Sequence, residues 1–231
     1  MPCGGPSPGP ERAVRIGNVL RRDWDDHAGQ WIAWARAPGH DSYWRFHRDE
    51  FLALVPPPGR LTLDIGCGEG RVARDLRARG HRVVVGDAAR LPVGDGVADG
   101  AVAFMSLQDI DDLEAATAEL ARVLRPGGRL ALAVVHPVNS AGRFVGDKGG
   151  DARPFVITDS WFERRRTVDT LERDGLTMTF HSEHRPLGAY ADALTGAGFL
   201  IERLREVTDP DPDGDWVRVP MFLQVLAVRN G

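Results

Sequence analysis

The chain has 231 residues, with 33 acidic and 29 basic side chains and a formal net charge of −4. This length suits one α/β domain with insertions, and the acidic balance argues against a global positive field that attracts nucleic acid or an anionic membrane. No stretch approaches the roughly 18 unbroken apolar residues of a membrane-spanning helix, and residues 1–10 lack the parts of a signal peptide. Because only two cysteines are present, we expect no structural disulfide and a cytoplasmic location.

Proline and glycine dominate residues 1–10, which we expect to form a disordered tail before a single domain at 11–231. In 18–55, tryptophan and phenylalanine recur among charged residues. That pattern predicts a helical cap of one or two amphipathic helices, broken near Pro38. The run of three prolines and a glycine at 56–59 then ends the cap.

Strands and helices alternate from residue 61 onwards, which predicts a doubly wound, mostly parallel α/β sheet. The expected elements are a strand at 61–65, a helix at 69–79, strands at 82–86 and 101–104, a helix at 112–124, a strand at 129–135, a helix at 187–195 and a closing pair of strands at 199–207 and 220–229.

An insertion at 138–185 is too long for a plain connection between two of these elements. We expect it to fold over a pocket as a lid, and packing into the core without a lid role is the alternative. Together with the 18–55 cap, such a lid would enclose a mostly apolar chamber. A chamber of that kind suits a small organic molecule better than a protein or RNA.

A glycine-rich loop follows the first expected strand. Residues 61–71 close an apolar run on Asp64 and then place glycines at alternate positions, namely Gly66, Gly68 and Gly70. Glycine allows a positive φ and a close approach of ligand to backbone. The dinucleotide fingerprint G-x-G-x-x-G would need a glycine at position 71, which is arginine, and the lysine and hydroxyl of the phosphate loop G-x-x-x-x-G-K-[ST] are missing.

This D-x-G-x-G-x-G segment resembles the first and most diagnostic motif of the class I S-adenosylmethionine-dependent methyltransferases. Residues 122–135 resemble the stretch leading into that family's fifth strand, and 87–92 resemble its adenine-side loop. The resemblance covers roughly residues 20–228. It implies the family's fold, S-adenosylmethionine as cofactor and S-adenosylhomocysteine as product.

One departure from the family follows the second expected strand. Members usually carry a further helix and strand there, whereas this chain runs from Val85 directly into the adenine-side loop. We therefore expect a sheet shortened by an edge strand and its helix, with five or six strands, or a partner chain that covers the new edge.

By the resemblance, Asp64 looks toward the methionine part of the cofactor and orders the glycine loop, and a turn aspartate bonding its own backbone is the alternative. Asp87 could accept both ribose hydroxyls, contact the adenine amine or cap its loop. Cys67 is read as a small loop residue rather than a nucleophile. The predicted cofactor-binding set is Asp64, Gly66, Cys67, Gly68, Gly70, Asp87, Ala88, Met105, Ser106 and Leu107. By the resemblance, Gln108 should also pass beside the cofactor.

Methyl transfer to a nucleophile needs mainly alignment and exclusion of water, and a base only when the acceptor must lose a proton. Histidine suits that role near neutral pH. The candidates are His136, at the carboxyl end of a strand, and His181 and His184, late in the insertion. Each has a structural histidine as its alternative, and Arg45 and His47 of the cap either reach the site or pack in an aromatic face. No metal-ligand spacing occurs, so no metal is expected.

The sequence therefore predicts a methyltransferase that acts on O, N or C of a small organic acceptor, plausibly in specialised metabolism, as a monomer or homodimer. A catalytically silent cofactor-binding or regulatory protein is the alternative, because it would keep the same glycine loop. An RNA methyltransferase is disfavoured by the acidic balance, and neither nucleic acid nor membrane is an expected partner.

Overall fold

The computed structural model describes residues 19–86, 91–147 and 153–231. Its strands, in chain order, are β1 (Thr62–Ile65), β2 (Val83–Gly86), β3 (Ala98–Phe104), β4 (Leu124–Val135), β5 (Gly142–Phe144), β6 (Phe155–Ile157), β7 (Arg165–Arg173), β8 (Leu176–His184), β9 (Phe199–Val207) and β10 (Phe222–Arg229). Its α-helices are α1 (Val19–Arg36), α2 (Arg48–Leu54), α3 (Arg71–Ala78), α4 (Leu113–Val123), α5 (Pro137–Ala141) and α6 (Leu187–Gly196), and a π-helix spans Tyr43–His47.

Six strands form the central sheet of the described structure, in the order β2-β1-β3-β4-β10-β9. The pairs among β2, β1, β3 and β4 are parallel, and β10 is antiparallel to both of its neighbours. The predicted doubly wound, mostly parallel fold is confirmed. Strand β2 lies at the edge, where Val85 is 43% exposed, as the shortened connection after it predicted.

Two apolar layers cover the two faces of this sheet. Helices α4 and α6 pack on one face, with Leu120 and Leu194 buried there, and the segment 43–54 packs with α3 on the other, around Phe51 and Leu76. Strand β1 is buried along its whole length. Because β1 is covered on both faces, even its polar residues Thr62 and Asp64 are buried.

Strand β4 begins earlier than the sequence suggested, at Leu124 rather than residue 129. Its pairing with β3 shifts between Ala98 and Gly100, and Gly127 has a φ of +74°. The Pro-Gly-Gly turn at 126–128 is therefore a bulge inside the ladder instead of a loop before it.

The insertion contains more regular structure than expected. Strands β7 and β8, of nine residues each, form a hairpin around Asp174 and Gly175, both of which have positive φ. Helix α1 packs along β8, and Trp24 Nε1 donates a hydrogen bond of 2.8 Å to the His181 carbonyl. At the hairpin tip, Arg173 donates to the Gly39 carbonyl at 2.9 Å. The cap and the insertion thus contact each other.

Candidate functional site

The glycine loop leaves β1 with a left-handed backbone. The φ angles of Gly66, Gly68 and Gly70 are +63°, +55° and +86°. A Cβ at Gly66 would lie 2.6 Å from Ser106 Cβ, and one at Gly68 would lie 2.6 Å from Trp31 Nε1. Both the conformation and the space therefore require glycine, and the loop presents bare backbone at the sheet edge.

This loop lies where the strand order of the sheet reverses. The chain passes from β1 to β2 on one side and then to β3 on the other, and the carboxyl end of such a switch point is the usual ligand site of an open α/β sheet. The loop after β3 is tied to the glycine loop, because Ser106 Oγ donates to the Ile65 carbonyl at 2.8 Å.

A cleft with a volume of about 2170 Å³ opens at this edge. It is bounded by the glycine loop, the end of β2, the 105–112 segment, α1, the β7–β8 hairpin and the start of β10. The expected aromatic side chains are present, including Trp31, Trp34 and Phe180, but arginines and carboxylates line the cleft beside them. The chamber is therefore both aromatic and charged.

Asp64 is 1% exposed and does not line the cleft. Its carboxylate accepts the backbone N–H of Ala73 in α3, so it holds the glycine loop against that helix. Burial raises the pKa of Asp64 to about 7, and the nearby Arg71 opposes that rise. Of the two roles that the resemblance implied, ordering the loop agrees with this position and facing the cofactor does not.

A buried ion pair beside the loop was missed by the sequence analysis. Arg71 Nε lies 2.7 Å from Asp41 Oδ2, and both side chains are at most 5% exposed. The Arg71 guanidinium lies over the rings of Trp31, Tyr43 and Phe104, at 4.8, 5.6 and 5.2 Å from their centroids. Both charged residues line the cleft. Burial raises the pKa of Asp41, and Arg71 opposes this.

None of the three candidate histidines lines the cleft. His136 is 4% exposed, its Nδ1 accepts the Val138 N–H at 3.1 Å as the N-cap of α5, and its Nε2 lies 3.2 Å from Glu206 Oε1. Burial lowers the pKa of His136, and Glu206 opposes that shift. The expectation that His136 faces an acceptor needs correction, because its ring turns toward β9.

The other two histidines also have partners within the fold. His184 Nδ1 lies 2.7 Å from Ser140 Oγ, and its Nε2 lies 3.1 Å from the Trp161 carbonyl. His181 packs its ring 4.7 Å from that of His27, on the side of the hairpin that faces α1. Both positions agree with the structural alternative rather than with a base.

The remaining predicted residues divide between the cleft and the core. Cys67, Met105 and Ser106 line the cleft, whereas Leu107 is fully buried away from it, and Gly70 precedes α3 as its N-cap. Burial raises the pKa of the Cys67 thiol, which favours an uncharged loop residue over a nucleophile. Asp87 and Ala88 lie outside the described residues, so their assignment stays a prediction.

Of the two cap residues, only Arg45 lines the cleft. His47 is fully buried and packs 4.3 Å from the Phe222 ring, and burial lowers its pKa to about 3, with the charge of Arg71 adding to this. His47 therefore belongs to the aromatic face, as the structural alternative predicted.

Gln108 and Asp109, after β3, line the cleft, and of these two only Asp109 was not predicted. Asp109 Oδ1 accepts a hydrogen bond of 2.7 Å from Ser182 Oγ, which links this loop to β8. Burial raises the pKa of Asp109 to about 8, and the Ser182 hydrogen bond and the charge of Arg185 oppose that rise. The sequence around Asp109 does not reveal this role, since its partner Ser182 is 73 residues away.

Arg185 fixes the segment 107–110 by hydrogen bonds to its backbone. It is 1% exposed, and its guanidinium donates to the carbonyls of Leu107 and Gln108 at 3.2 and 3.3 Å and to that of Ile110. It also pairs with Glu183. The three bonds to carbonyl groups thus fix the path of residues 107–110, and the pair with Glu183 holds the guanidinium in place.

Within the described ranges, no group of three or more histidine, cysteine or acidic side chains is arranged to hold a metal ion. The helices of those same ranges include none that could cross a membrane.

Sequence comparison identifies relatives for part of the chain. A family model described as a methyltransferase domain matches residues 81–132. Demethylmenaquinone methyltransferase of Mycobacterium marinum is 38% identical over 114 residues, which cover 41% of this chain and 48% of the relative. The chain spans about half the length of the curated relatives it matches.

Two solved structures are similar over most of the chain. An S-adenosylmethionine-dependent methyltransferase from Mesorhizobium loti has a TM-score of 0.62 at 22% identity, over 82% of this chain and 98% of that one. The 1,6-didemethyltoxoflavin-N1-methyltransferase of Burkholderia thailandensis, solved with 1,6-didemethyltoxoflavin and S-adenosylhomocysteine, has a TM-score of 0.58 at 17% identity, over 98% and 94% of the two chains. These likenesses establish the shared fold.

Proposed function

We propose that this chain, a class I methyltransferase by its fold and by the segment that matches the family, binds S-adenosylmethionine and transfers its methyl group to a small organic acceptor. The observation that carries the proposal is the cradle formed by Gly66 and Gly68. Side chains at these two positions would collide with Ser106 and Trp31, so backbone alone lines this part of the cleft.

The groups around the cradle suit the cofactor. Gly66 and Gly68 would lie against the methionine part, and Arg71 and Asp41 offer it one cation and one anion from the cleft wall. Gly86, at the end of β2, also lines the cleft, and Asp87, a predicted cofactor contact, follows it in sequence. When bound, the cofactor supplies a methyl group on a sulfonium, which is already activated for transfer.

The chain itself would then contribute alignment and exclusion of water. The loop after β3 and the glycine loop are fixed to each other through Ser106, which sets the floor of the cleft. The hairpin and α1 form the opposite wall, and Trp24 holds them together. A cleft enclosed in this way supports a small acceptor.

Two relatives carry names that agree with a small acceptor. One is a demethylmenaquinone methyltransferase, and the other was solved with 1,6-didemethyltoxoflavin. We therefore propose a small organic molecule as the acceptor, methylated on O, N or C. The link to specialised metabolism, the cytoplasmic location and a monomeric or homodimeric state stay predictions.

The test is an assay of methyl transfer to a broad panel of phenols, amines, quinols and heterocycles. The release of S-adenosylhomocysteine is the measured signal. We expect turnover with at least one class and no release without an acceptor. Binding of S-adenosylmethionine without turnover on any class would favour the silent cofactor-binding protein. Failure to bind the cofactor at all would contradict the proposal.

A further inference from the structure

The segment 105–109 brings polar groups next to the glycine cradle. Ser106 contacts the cradle directly, since a Cβ at Gly66 would lie 2.6 Å from its Cβ. Gln108 and Asp109 follow within three residues and line the same cleft. They therefore line the same cleft as the cradle against which the cofactor is proposed to bind.

Gln108 has an unsatisfied hydrogen-bond acceptor. Its side chain is 5% exposed, and its Nε2 donates to Asp109 Oδ2 at 3.3 Å, while Oε1 is buried without a partner in the described structure. A buried polar atom left unpaired costs free energy, so such atoms are normally satisfied by a ligand or by water. Because the residue lines the cleft, a donor on a bound molecule could satisfy it.

Asp109 is half-buried and held in place from two elements. Ser182 of β8 donates to Oδ1, and Arg185 fixes the backbone on which Asp109 stands. Other ionisable groups lie near this corner. Glu183 pairs with Arg185, the Tyr190 hydroxyl of α6 also contacts Arg185, and Asp111 pairs with Arg166 of β7. The carboxyl group is thus positioned rather than free to rotate.

We propose that Gln108 and Asp109 form the proton-accepting end of the acceptor site, so that the acceptor reacts through an N–H or O–H group. This inference rests on the proposed function and narrows it. Gln108 Oε1 accepts a hydrogen bond from the acceptor, and the Asp109 carboxylate takes its proton. The lone pair freed on nitrogen or oxygen forms the bond to the methyl carbon, and the sulfur leaves with the electron pair of the broken carbon–sulfur bond.

The acidity of Asp109 suits a base that works near neutral pH. Its pKa is raised to about 8 by burial, so the carboxylate becomes available as the pH rises through that value. Ser182 stabilises the charged form by its hydrogen bond. Ser182→Ala should therefore raise the pKa of Asp109 further.

Sinefungin tests this arrangement without knowledge of the acceptor. It is a cofactor analogue that carries a carbon-bound amine in place of the sulfonium and its methyl group. An ammonium at that position should bind Gln108 and Asp109 directly, whereas S-adenosylhomocysteine has nothing there. We would measure both dissociation constants by calorimetry between about pH 6 and pH 9, because only their ratio isolates this contact.

For the wild type, the ratio of the two dissociation constants should shift in favour of sinefungin as the pH rises. The midpoint of this shift should lie near the pKa of Asp109. In Asp109→Asn and Gln108→Leu the preference should fall by about tenfold at pH 9, with the affinity for S-adenosylhomocysteine unchanged. Ser182→Ala should move the midpoint upward, which a merely structural role would not do. Asp26→Asn is the matched control, since Asp26 is an exposed carboxylate of α1 that does not line the cleft and its loss should leave the ratio unchanged.

The outcomes separate the two proposals. If the wild type binds S-adenosylhomocysteine but the ratio is the same in Asp109→Asn and Gln108→Leu, this inference is overturned and the proposed function stands. If the wild type binds neither ligand, the proposed function fails and the inference fails with it. If Asp109→Asn does not fold, Gln108→Leu and the shifted midpoint of Ser182→Ala decide the result.

Discussion

The two walls of the cleft are built in different ways. The glycine wall rests on a local motif, because Gly66, Gly68 and Gly70 stand at alternate positions and all have positive φ. The acceptor wall depends on distant pairs, such as Ser182 with Asp109 and Trp24 with the His181 carbonyl. The first wall is therefore visible as a motif, and the second appears only once the chain is folded.

The largest effect on the acceptor wall should come from Arg185. Replacing it by methionine would leave Glu183 without its buried partner and three carbonyl groups of the 107–110 segment without a donor. Breaking a buried ion pair on one side costs about 3–5 kcal/mol, so Arg185→Met should lower the free energy of unfolding by that amount.

Chemical denaturation measures this loss, and Arg164→Met is the control. Arg164 pairs with Glu114 at the surface, where such a pair contributes about 0–1 kcal/mol. If both variants lost the same stability, Arg185 would not anchor the loop as described.

A smaller effect should come from Asp64 on the glycine wall. Burial raises its pKa from 3.8 to about 7, so the folded protein binds this proton more tightly than the unfolded chain does. The resulting stabilisation is complete below about pH 4 and is lost as the pH rises to about 7. Across this range the free energy of unfolding of the wild type should fall by about 2–4 kcal/mol more than that of Asp64→Asn, because a shift of one pKa unit corresponds to about 1.36 kcal/mol.

The measurement is the free energy of unfolding of both proteins at a series of pH values. The difference between the two curves removes the other titrating groups, which are common to both proteins. Parallel curves would mean that Asp64 ionises normally, and the account of its burial against α3 would then be wrong.

The smallest effect should come from His136, which belongs to neither wall. Its Nδ1 caps α5, so His136→Ala should cost about 1 kcal/mol, as a lost N-cap does. The affinity for S-adenosylhomocysteine should not change, because the ring does not line the cleft. Thermal unfolding and calorimetry together check this. A tenfold loss of affinity for S-adenosylhomocysteine would show that His136 takes part in the binding site.

Sequence reasoning found the fold and the glycine wall because their signals are local. Alternation of strands and helices, the three glycines and the missing segment after Val85 each specify structure without distant partners. The histidines were chosen for their chemistry and their place at element ends. Their side chains instead make contacts with Glu206, Ser140 and other residues that no spacing rule predicts.

The hairpin is an exception that the sequence could have revealed. Asp174-Gly175 separates two runs of nine residues, and Asp-Gly is a strong signal for a two-residue hairpin turn. The first run, β7, is rich in charged residues and largely exposed, so its strand pattern is weak. Asp109 and the Arg71–Asp41 pair offered no comparable signal, since their roles depend on burial by elements far along the chain.

The central claim is that bare backbone at Gly66 and Gly68 holds the cofactor. Calorimetry with S-adenosylhomocysteine tests it most directly, using the wild type, Gly68→Ala and Gly188→Ala. A Cβ at position 68 would lie 2.6 Å from Trp31 Nε1 at a φ of +55°, whereas one at Gly188 meets nothing within 4 Å. The account predicts at least a roughly tenfold weaker affinity for Gly68→Ala alone. Equal affinities in all three folded proteins would contradict it.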